Sequence, residues 1–246
     1  MRSFFLGGNA ICGDSVTITG ELYRHMARVL RIKEGSEVEL IENGGARHRG
    51  TVEEVGAKSL TVRISASAAP AAEEPGLRIT LLQGMPKGEK LDLILQKCTE
   101  LGVAEVVAFD AARSVVKLRG DRSATRLARY EKIVQEAARQ SGRRSAPKVA
   151  LGGTLSEVLA DSRHEVKLLL YEGEEKTTLH GCFGAFEAPG SVAVVVGPEG
   201  GLAPEEVRQA LAAGFTPVTL GKRILRTETA GLAMLSILQF HWGDMV

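Results

Sequence analysis

At 246 residues, 44% of them hydrophobic and 25% charged, the chain has the make-up of a soluble protein with one large or two modest domains. A net charge of +1 does not by itself point to a nucleic-acid partner, and three cysteines (Cys12, Cys98, Cys182), odd in number and far apart, suit a reducing cytosol rather than a disulfide framework or a C-x-x-C metal site. The N-terminal apolar run is too short for a signal peptide and no stretch approaches a membrane span, so the expected location is cytoplasmic.

The first part of the chain reads as a small β-rich unit. Alternation predicts strands over residues 3–6, 16–18, 37–41, 47–55 and 60–64, with Asn43-Gly44-Gly45 supplying hairpin chemistry between two of them. One helix is expected over 21–31, with Leu22, Met26, Val29 and Leu30 on its apolar face and Arg24, Arg28 and Arg31 opposite. On spacing alone those arginines make a solvated basic face. Residues 65–76, SASAAPAAEEPG, are poor in large apolar side chains and read as a linker, which places a first domain at 1–70, a linker at 71–76 and a second domain at 77–246.

From Leu77 onward strands and helices alternate, the pattern of an α/β domain. Strands are expected at 77–83, 103–109, 148–151, 166–171, 192–196 and 216–220, and helices at 90–101, 123–140 and 155–160. A further helix should open at Pro204, a residue suited to the first helical position, with Glu205 and Glu206 favourable in the first turn. Ala203 stands where a capping Ser or Thr would be worth about 1 kcal/mol. Thr227 can cap the last helix, in which Ala230, Met234, Leu235, Ile237, Leu238 and His241 fall near helical spacing.

Two of these strand ends carry glycine-bearing loops just before a helix, where open α/β sheets bind ligands. The first is Gly197-Pro198-Glu199-Gly200-Gly201, the second Gly221-Lys222-Arg223-Ile224-Leu225-Arg226. Neither G-x-x-x-x-G-K-[ST] nor a strand-to-helix G-x-G-x-x-G is present, and Glu199 in mid-loop would repel a phosphate. A ligand with positive charge and no phosphate fits better, and S-adenosylmethionine has both properties. The pentapeptide alone equally suits a plain strand-to-helix turn. The five histidines show no metal-ligand spacing and no G-x-S-x-G elbow occurs, so no metal and no serine nucleophile are expected.

Taken together, GPEGG and LGKRILRTETA (residues 220–230) resemble the SPOUT class of methyltransferases, and within it the bacterial 16S ribosomal RNA (uracil-N3)-methyltransferase family. The block PKGEKLDLILQKCTELGV, the helix HMARVLR and the segment around Arg139-Gln140-Ser141-Gly142-Arg143-Arg144 are similar to segments of the same family. The resemblance implies an α/β, C-terminal, trefoil-knotted SPOUT domain behind a small N-terminal PUA-like β-barrel that helps grip RNA. It implies S-adenosylmethionine as cofactor, held by Leu170, Tyr171 and Glu172, by Gly197, Pro198, Glu199, Gly200 and Gly201, and by Leu220, Gly221, Ile224, Leu225, Arg226, Thr229 and Ala230. It further implies a homodimer through the last helix and 16S rRNA of the small ribosomal subunit as the partner. Of the candidate catalytic residues, Arg226 is always protonated and suits charge stabilisation on the uracil oxygens, while Glu199 and Glu228 are unranked candidates for taking the N3 proton.

A local charge imbalance suits either a solvated face, the usual meaning of a charge run, or a contact with an RNA phosphate backbone, which is the preferred reading. Between Arg113 and Lys148 stand eleven basic and three acidic residues, a net +8 on a chain whose total is +1. Arg139, Arg143 and Arg144, with Arg24, His25, Arg28 and Arg31 of the first unit, are the expected RNA contacts. Three tyrosines, seven phenylalanines and one tryptophan allow little base stacking, so such binding would rest on charge and shape. A SPOUT enzyme with another RNA target, such as a ribose 2′-hydroxyl, and a non-catalytic ribosome assembly factor are the competing readings.

Overall fold

The computed structural model describes residues 1–42, 46–68, 76–116, 118, 123–173 and 178–245. The hairpin triplet Asn43-Gly44-Gly45, the linker apart from Gly76, and Lys117, Arg119, Asp121 and Arg122 of the basic stretch lie outside the described residues. The chain divides into two compact units, Met1–Pro75 with Ala138–Ala146, and Gly76–Ala137 with Pro147–Val246.

In the first unit β1 (Arg2–Phe5), β2 (Ile11–Cys12), β3 (Ser15–Thr19), β4 (Glu37–Ile41), β5 (Arg47–Val55) and β6 (Ser59–Ala68) form one sheet in the order β1-β4-β5-β6-β3-β2. Its period-2 alternation turns Phe4, Val16, Ile18, Val38, Leu40, Val52, Leu60 and Val62 into a single core. Gly50 sits at an irregularity of the β5–β6 register, where a Cβ would lie 2.5 Å from the Arg63 carbonyl oxygen. Two expectations need correction. The linker does not begin at residue 65, because β6 runs on to Ala68 in register with Arg47; backbone pairing with the nine-residue β5 outweighs the low β-propensity of the Ser/Ala stretch.

The second correction concerns the helix expected over 21–31. It is one α-turn, α1 (Gly20–Tyr23), running into a π-helical turn over Arg24–Val29, closed by a bond from the Leu30 N–H to the His25 carbonyl at 2.9 Å. The wider turn rotates the residues after Met26 away from their α-helical places. Met26 and Tyr23 are buried, whereas Val29, expected on the apolar face, is 68% exposed. Arg24, Arg28 and Arg31 are exposed, as a basic outer face requires.

The second unit is built on an all-parallel sheet in the order β12-β10-β11-β7-β8-β9. The strands are β7 (Arg78–Gly84), β8 (Glu105–Asp110), β9 (Lys148–Thr154), β10 (Val166–Leu170), β11 (Ser191–Val196) and β12 (Thr216–Val218). Central strands β7 and β11 are buried on both faces, because helices cover both. On one side α2 (Lys90–Glu100) packs against α7 (Thr227–Trp242), burying Leu91, Ile94, Leu95, Met234, Leu235 and Leu238. On the other, α4 (Leu155–Ala160) and α6 (Pro204–Ala212) close a core of Phe109, Leu155, Leu159, Val195, Val207 and Phe215. Each such side chain contributes about 1.5–3 kcal/mol by leaving water. Also present are α3 (Ser123–Gln140), as expected, and a short α5 (Leu179–Phe183), which the sequence pattern did not announce.

Consecutive strands β7, β8 and β9 step toward one edge, and β10 then returns to the other side of β11. The C-terminal ends of β7, β11, β10 and β12 therefore flank the point where strand order reverses, and the glycine loops leave from there.

Candidate cofactor and catalytic site

The site is assembled on the end of β7. Gly84 lies so close to the loop after β11 that a Cβ on it would stand 2.6 Å from Pro198 Cδ and 2.8 Å from the Pro198 nitrogen. Next to it Gln83, fully buried, donates from Nε2 to the Gly84 carbonyl at 3.0 Å and to Thr227 Oγ1 at 2.9 Å. The Thr227 hydroxyl in turn donates to the Gly197 carbonyl at 2.6 Å. Thr227 is thus not the cap of α7. The cap position belongs to Arg226, and the threonine, one residue further on, spends its hydroxyl on joining three chain segments.

The loop after β11 turns on Gly201, whose φ of +68° favours glycine and whose N–H donates to the Pro198 carbonyl at 2.9 Å. It is held from outside by Arg113, which donates from Nη1 to the Gly200 carbonyl at 2.9 Å. A Cβ on Gly201 would lie 3.9 Å from Arg113 Nη1 and 4.0 Å from Glu172 Oε1, so the loop after β10 reaches the same place. The third loop joins through the Tyr171 N–H, which donates to the Val218 carbonyl at 3.2 Å, and through a parallel bridge between Thr178 and Thr219. Leu170, Tyr171, Leu220, Leu225 and Ala230 are half-buried around this junction, while Gly221, Ile224, Arg226 and Thr229 are exposed.

Glu199 is tied down. Its carboxylate accepts the Lys87 N–H at 3.1 and 3.3 Å and pairs with Lys90 Nζ at 2.8 Å. Partial burial pushes its pKa up, but the hydrogen bonds from Lys90, from its own backbone and from Lys87 outweigh burial and hold it below the usual carboxylate range. The same bond to Glu199 raises the Lys90 ammonium. Glu228 also approaches that ammonium, with Oε2 3.6 Å from Nζ, and this oxygen is buried without a hydrogen bond among the described residues. Arg226 is exposed and has no ion-pair partner among the described residues.

The helix after the GPEGG loop starts without a side-chain acceptor at Ala203. Glu206 makes the reverse half of a capping box, accepting the Ala203 N–H at 2.8 Å, and its other oxygen accepts the Ala112 N–H at 2.8 Å. A cavity of about 630 Å³ opens beside this helix start, lined by Asp110, Thr154, Glu205 and Gln209 among others, and none of the predicted cofactor residues lines it. Burial pushes the Cys98 thiol up to about 12, out of the range of a nucleophile. Among the described residues no three His, Cys, Asp or Glu side chains cluster as metal ligands, and no helix is long and apolar enough to cross a membrane.

Sequence reasoning named Glu199 and Glu228 without the lysine between them, and missed Arg113, Gln83 and Gly84. Lys90 lies in the quoted PKGEK block, where no single residue stood out. Arg113 opens the basic stretch, and its charge hid its role as a loop prop. In the first unit, Arg24, His25, Arg28 and Arg31 share one compact body with Arg139, Arg143 and Arg144, more than a hundred residues later in the chain.

The residues present fit S-adenosylmethionine. The loops offer glycine backbone with three carboxylates (Glu172, Glu199, Glu228), two of them paired with Lys90, and the sequence carries no phosphate-binding motif, which suits a phosphate-free ligand bearing positive charge. A parallel sheet of this order, with three adjacent strand-end loops gathered at the switch point, is the α/β fold of the SPOUT class of methyltransferases. Family models agree, an RNA methyltransferase domain matching residues 72–239 and an RNA methyltransferase PUA domain matching residues 18–65. The ribosomal RNA small subunit methyltransferase E of Bacillus subtilis is 33% identical over 230 residues, 92% of this chain and 90% of that one. The crystal structure of a ribosomal RNA small subunit methyltransferase E from Neisseria gonorrhoeae bound to S-adenosyl methionine superimposes with a TM-score of 0.84 at 36% identity, covering 100% of both chains. A Legionella pneumophila structure in complex with the cofactor SAM gives a TM-score of 0.87 at 30% identity over 99% of this chain and 98% of that one. The chain belongs to the ribosomal RNA small subunit methyltransferase E family.

Proposed function

We propose that the protein methylates N3 of a uridine in the decoding region of 16S rRNA, acting on the assembled small subunit. Membership of the family makes it an S-adenosylmethionine-dependent methyltransferase of small-subunit rRNA. The base position and the region are our reading, from the likeness of GPEGG and LGKRILRTETA to the uracil-N3 enzymes. The observation that carries it is the meeting of three strand-end loops with Arg226 and Glu228 at one switch point.

S-adenosylmethionine, when bound, supplies a methyl group activated by its sulfonium. Backbone groups of residues 170–172, 197–201 and 220–225 hold it, with Thr229 and Ala230 at the start of α7 beside them. The chain's own work is to orient the uracil, remove the N3 proton and offset the charge left behind. Arg226, exposed and without an ion-pair partner among the described residues, is the candidate to meet negative charge on the uracil carbonyl oxygens. Glu199 is a poor proton acceptor, since donors already occupy its carboxylate and lower its basicity. Glu228, with no hydrogen-bond donor from the protein among the described residues, is the better one.

RNA is gripped by the basic residues of the first unit, Arg24, His25, Arg28 and Arg31 of a PUA-like domain over 1–70, together with Arg139, Arg143 and Arg144 of the segment Ala138–Ala146 that belongs to the same compact unit; the domain over 1–70 is joined through 71–76 to the catalytic domain over 77–246. A homodimer through α7 and the knot loops is supported by exposed apolar side chains there, Ile224 at 81% and Phe240 at 74%, and light scattering reads its mass directly. The expected compartment is the cytoplasm, where the ribosome is.

The test is methyl transfer from labelled S-adenosylmethionine to small subunits lacking the modification, followed by nucleoside mass spectrometry. N3-methyluridine is expected, with Arg226→Ala lowering kcat by about 10²–10³. Label on a ribose or another base would move the target. Tight subunit binding with no label at all would replace the enzyme by an assembly factor.

A further inference from the structure

Lys90 is the first residue of α2, where the helix dipole disfavours a cation, and no side chain caps that helix start. A local rule broken in this way calls for a compensating gain elsewhere. Here the gain is two carboxylates from distant segments. Nζ lies 2.8 Å from Glu199 Oε1, in the loop after β11, and 3.6 Å from Glu228 Oε2, in the first turn of α7. The side chains of both acids are partly covered, 26% and 14% exposed, so solvent screens their charges less than those of a fully exposed pair. Among the described residues Lys90 is the one cation paired with either of them. Glu199 keeps the Lys87 N–H as a second partner, whereas the buried oxygen of Glu228 has no hydrogen bond among the described residues and depends on this ammonium.

We propose that Lys90 is a positioning residue for methyl transfer: by pairing with Glu199 and Glu228 together, it sets the glycine loop after β11 against the start of α7, and so fixes the cofactor-holding backbone relative to Arg226. This rests on the reading of the site given above. Without the ammonium, two half-covered like charges face each other and are driven apart. Glu199 carries the GPEGG backbone with it, and Glu228 carries the α7 start two residues after Arg226. Both cofactor affinity and turnover then depend on a side chain that touches neither reactant.

The experiment compares wild type, Lys90→Met, Lys90→Arg, Glu199→Gln and the double variant Lys90→Met/Glu199→Gln. S-adenosylmethionine binding is read by calorimetry and methyl transfer by labelled incorporation into unmodified small subunits. Lys90→Met is expected to weaken cofactor binding and lower kcat/KM by about 10- to 100-fold. Lys90→Arg, which keeps the charge, should recover most of both. Because the two residues act in one network, the double variant should lose no more affinity than the worse single one. Lys90→Met leaves two partly covered carboxylates without their cation, so its melting temperature should fall, whereas Lys90→Arg, which keeps the charge, should melt close to wild type and separates positioning from a general loss of fold. Wild-type affinity and turnover in Lys90→Met, or fully additive losses in the double variant, would overturn the proposal. A wild-type protein that neither binds the cofactor nor transfers label would instead remove the reading of the site on which the proposal stands.

Discussion

The seat of the GPEGG loop on β7 can be tested by adding one methyl group. In Gly84→Ala the new Cβ would stand 2.8 Å from the Pro198 nitrogen and 3.2 Å from the Gly197 carbonyl carbon, both backbone atoms that no rotamer change can move aside. Restoring even a tight contact of 3.4 Å to that nitrogen requires the loop to retreat by roughly 0.6 Å. Overpacking of this kind costs about 1–3 kcal/mol, and in a chain of this size each kcal/mol lowers the melting temperature by about 2–4 °C. The expected fall in Tm is therefore roughly 2–12 °C. The retreating backbone belongs to the proposed cofactor loop, so kcat/KM for methyl transfer should drop about 10- to 100-fold, by the sensitivity of positioned reactants to displacements of this order. Differential scanning fluorimetry and the labelled-transfer assay read the two effects. Gly8→Ala is the control, since a Cβ there meets nothing within 4 Å and its backbone is unstrained. A Gly84→Ala protein with wild-type Tm and wild-type kcat/KM would show that the loop does not rest on β7.

Two further outcomes are expected. Thr227→Val keeps the shape of the side chain but removes the hydroxyl between Gln83 Nε2 and the Gly197 carbonyl; the cost should be about 1–3 kcal/mol in urea unfolding with an unchanged m-value, and a neutral variant would contradict the buried relay. Glu199 has its carboxyl held below the ordinary value, facing Lys90, the Lys87 N–H and, across the ammonium, Glu228, so its contribution is complete at neutral pH and is lost as pH falls below about 4.3 and through the depressed value. Glu199→Gln should accordingly flatten the acid fall of Tm between about pH 6 and pH 3, and curves of equal slope for the two proteins would refute the linkage.

What could be read in the sequence was what is local or periodic. The apolar runs of β7 and β11, the bounds of α3 and α4, and the glycine loop between β11 and α6 all follow from nearest-neighbour chemistry. Leu91, Ile94 and Leu95 were recognisable as core because an α-helix of about 3.6 residues per turn brings them to one face. The same rule misplaced Val29, since composition does not reveal that the turn before it is π-helical. Thr227 met every local criterion for a cap, but a buried glutamine 144 positions earlier claimed its hydroxyl. Lys90, Arg113 and Gln83 were illegible for the same reason. Their partners are set by strand order, and strand order in a sheet that reverses direction is a property of the whole domain.

That dependence has a kinetic side. The links that close the site join residues far apart along the chain, 112 positions between Lys87 and Glu199 and 144 between Gln83 and Thr227. Contacts of such separation carry the full entropy of loop closure and form late in folding. A chain that has completed β7, β8 and β9 already possesses a sheet, yet has no place for a ligand until α7 is laid across it. Ligand binding then acts as a certificate of finished folding: partly folded molecules can be compact without being able to engage a methyl donor. Measured refolding should therefore show secondary structure returning before ligand competence, with the interval between them set by the docking of α7.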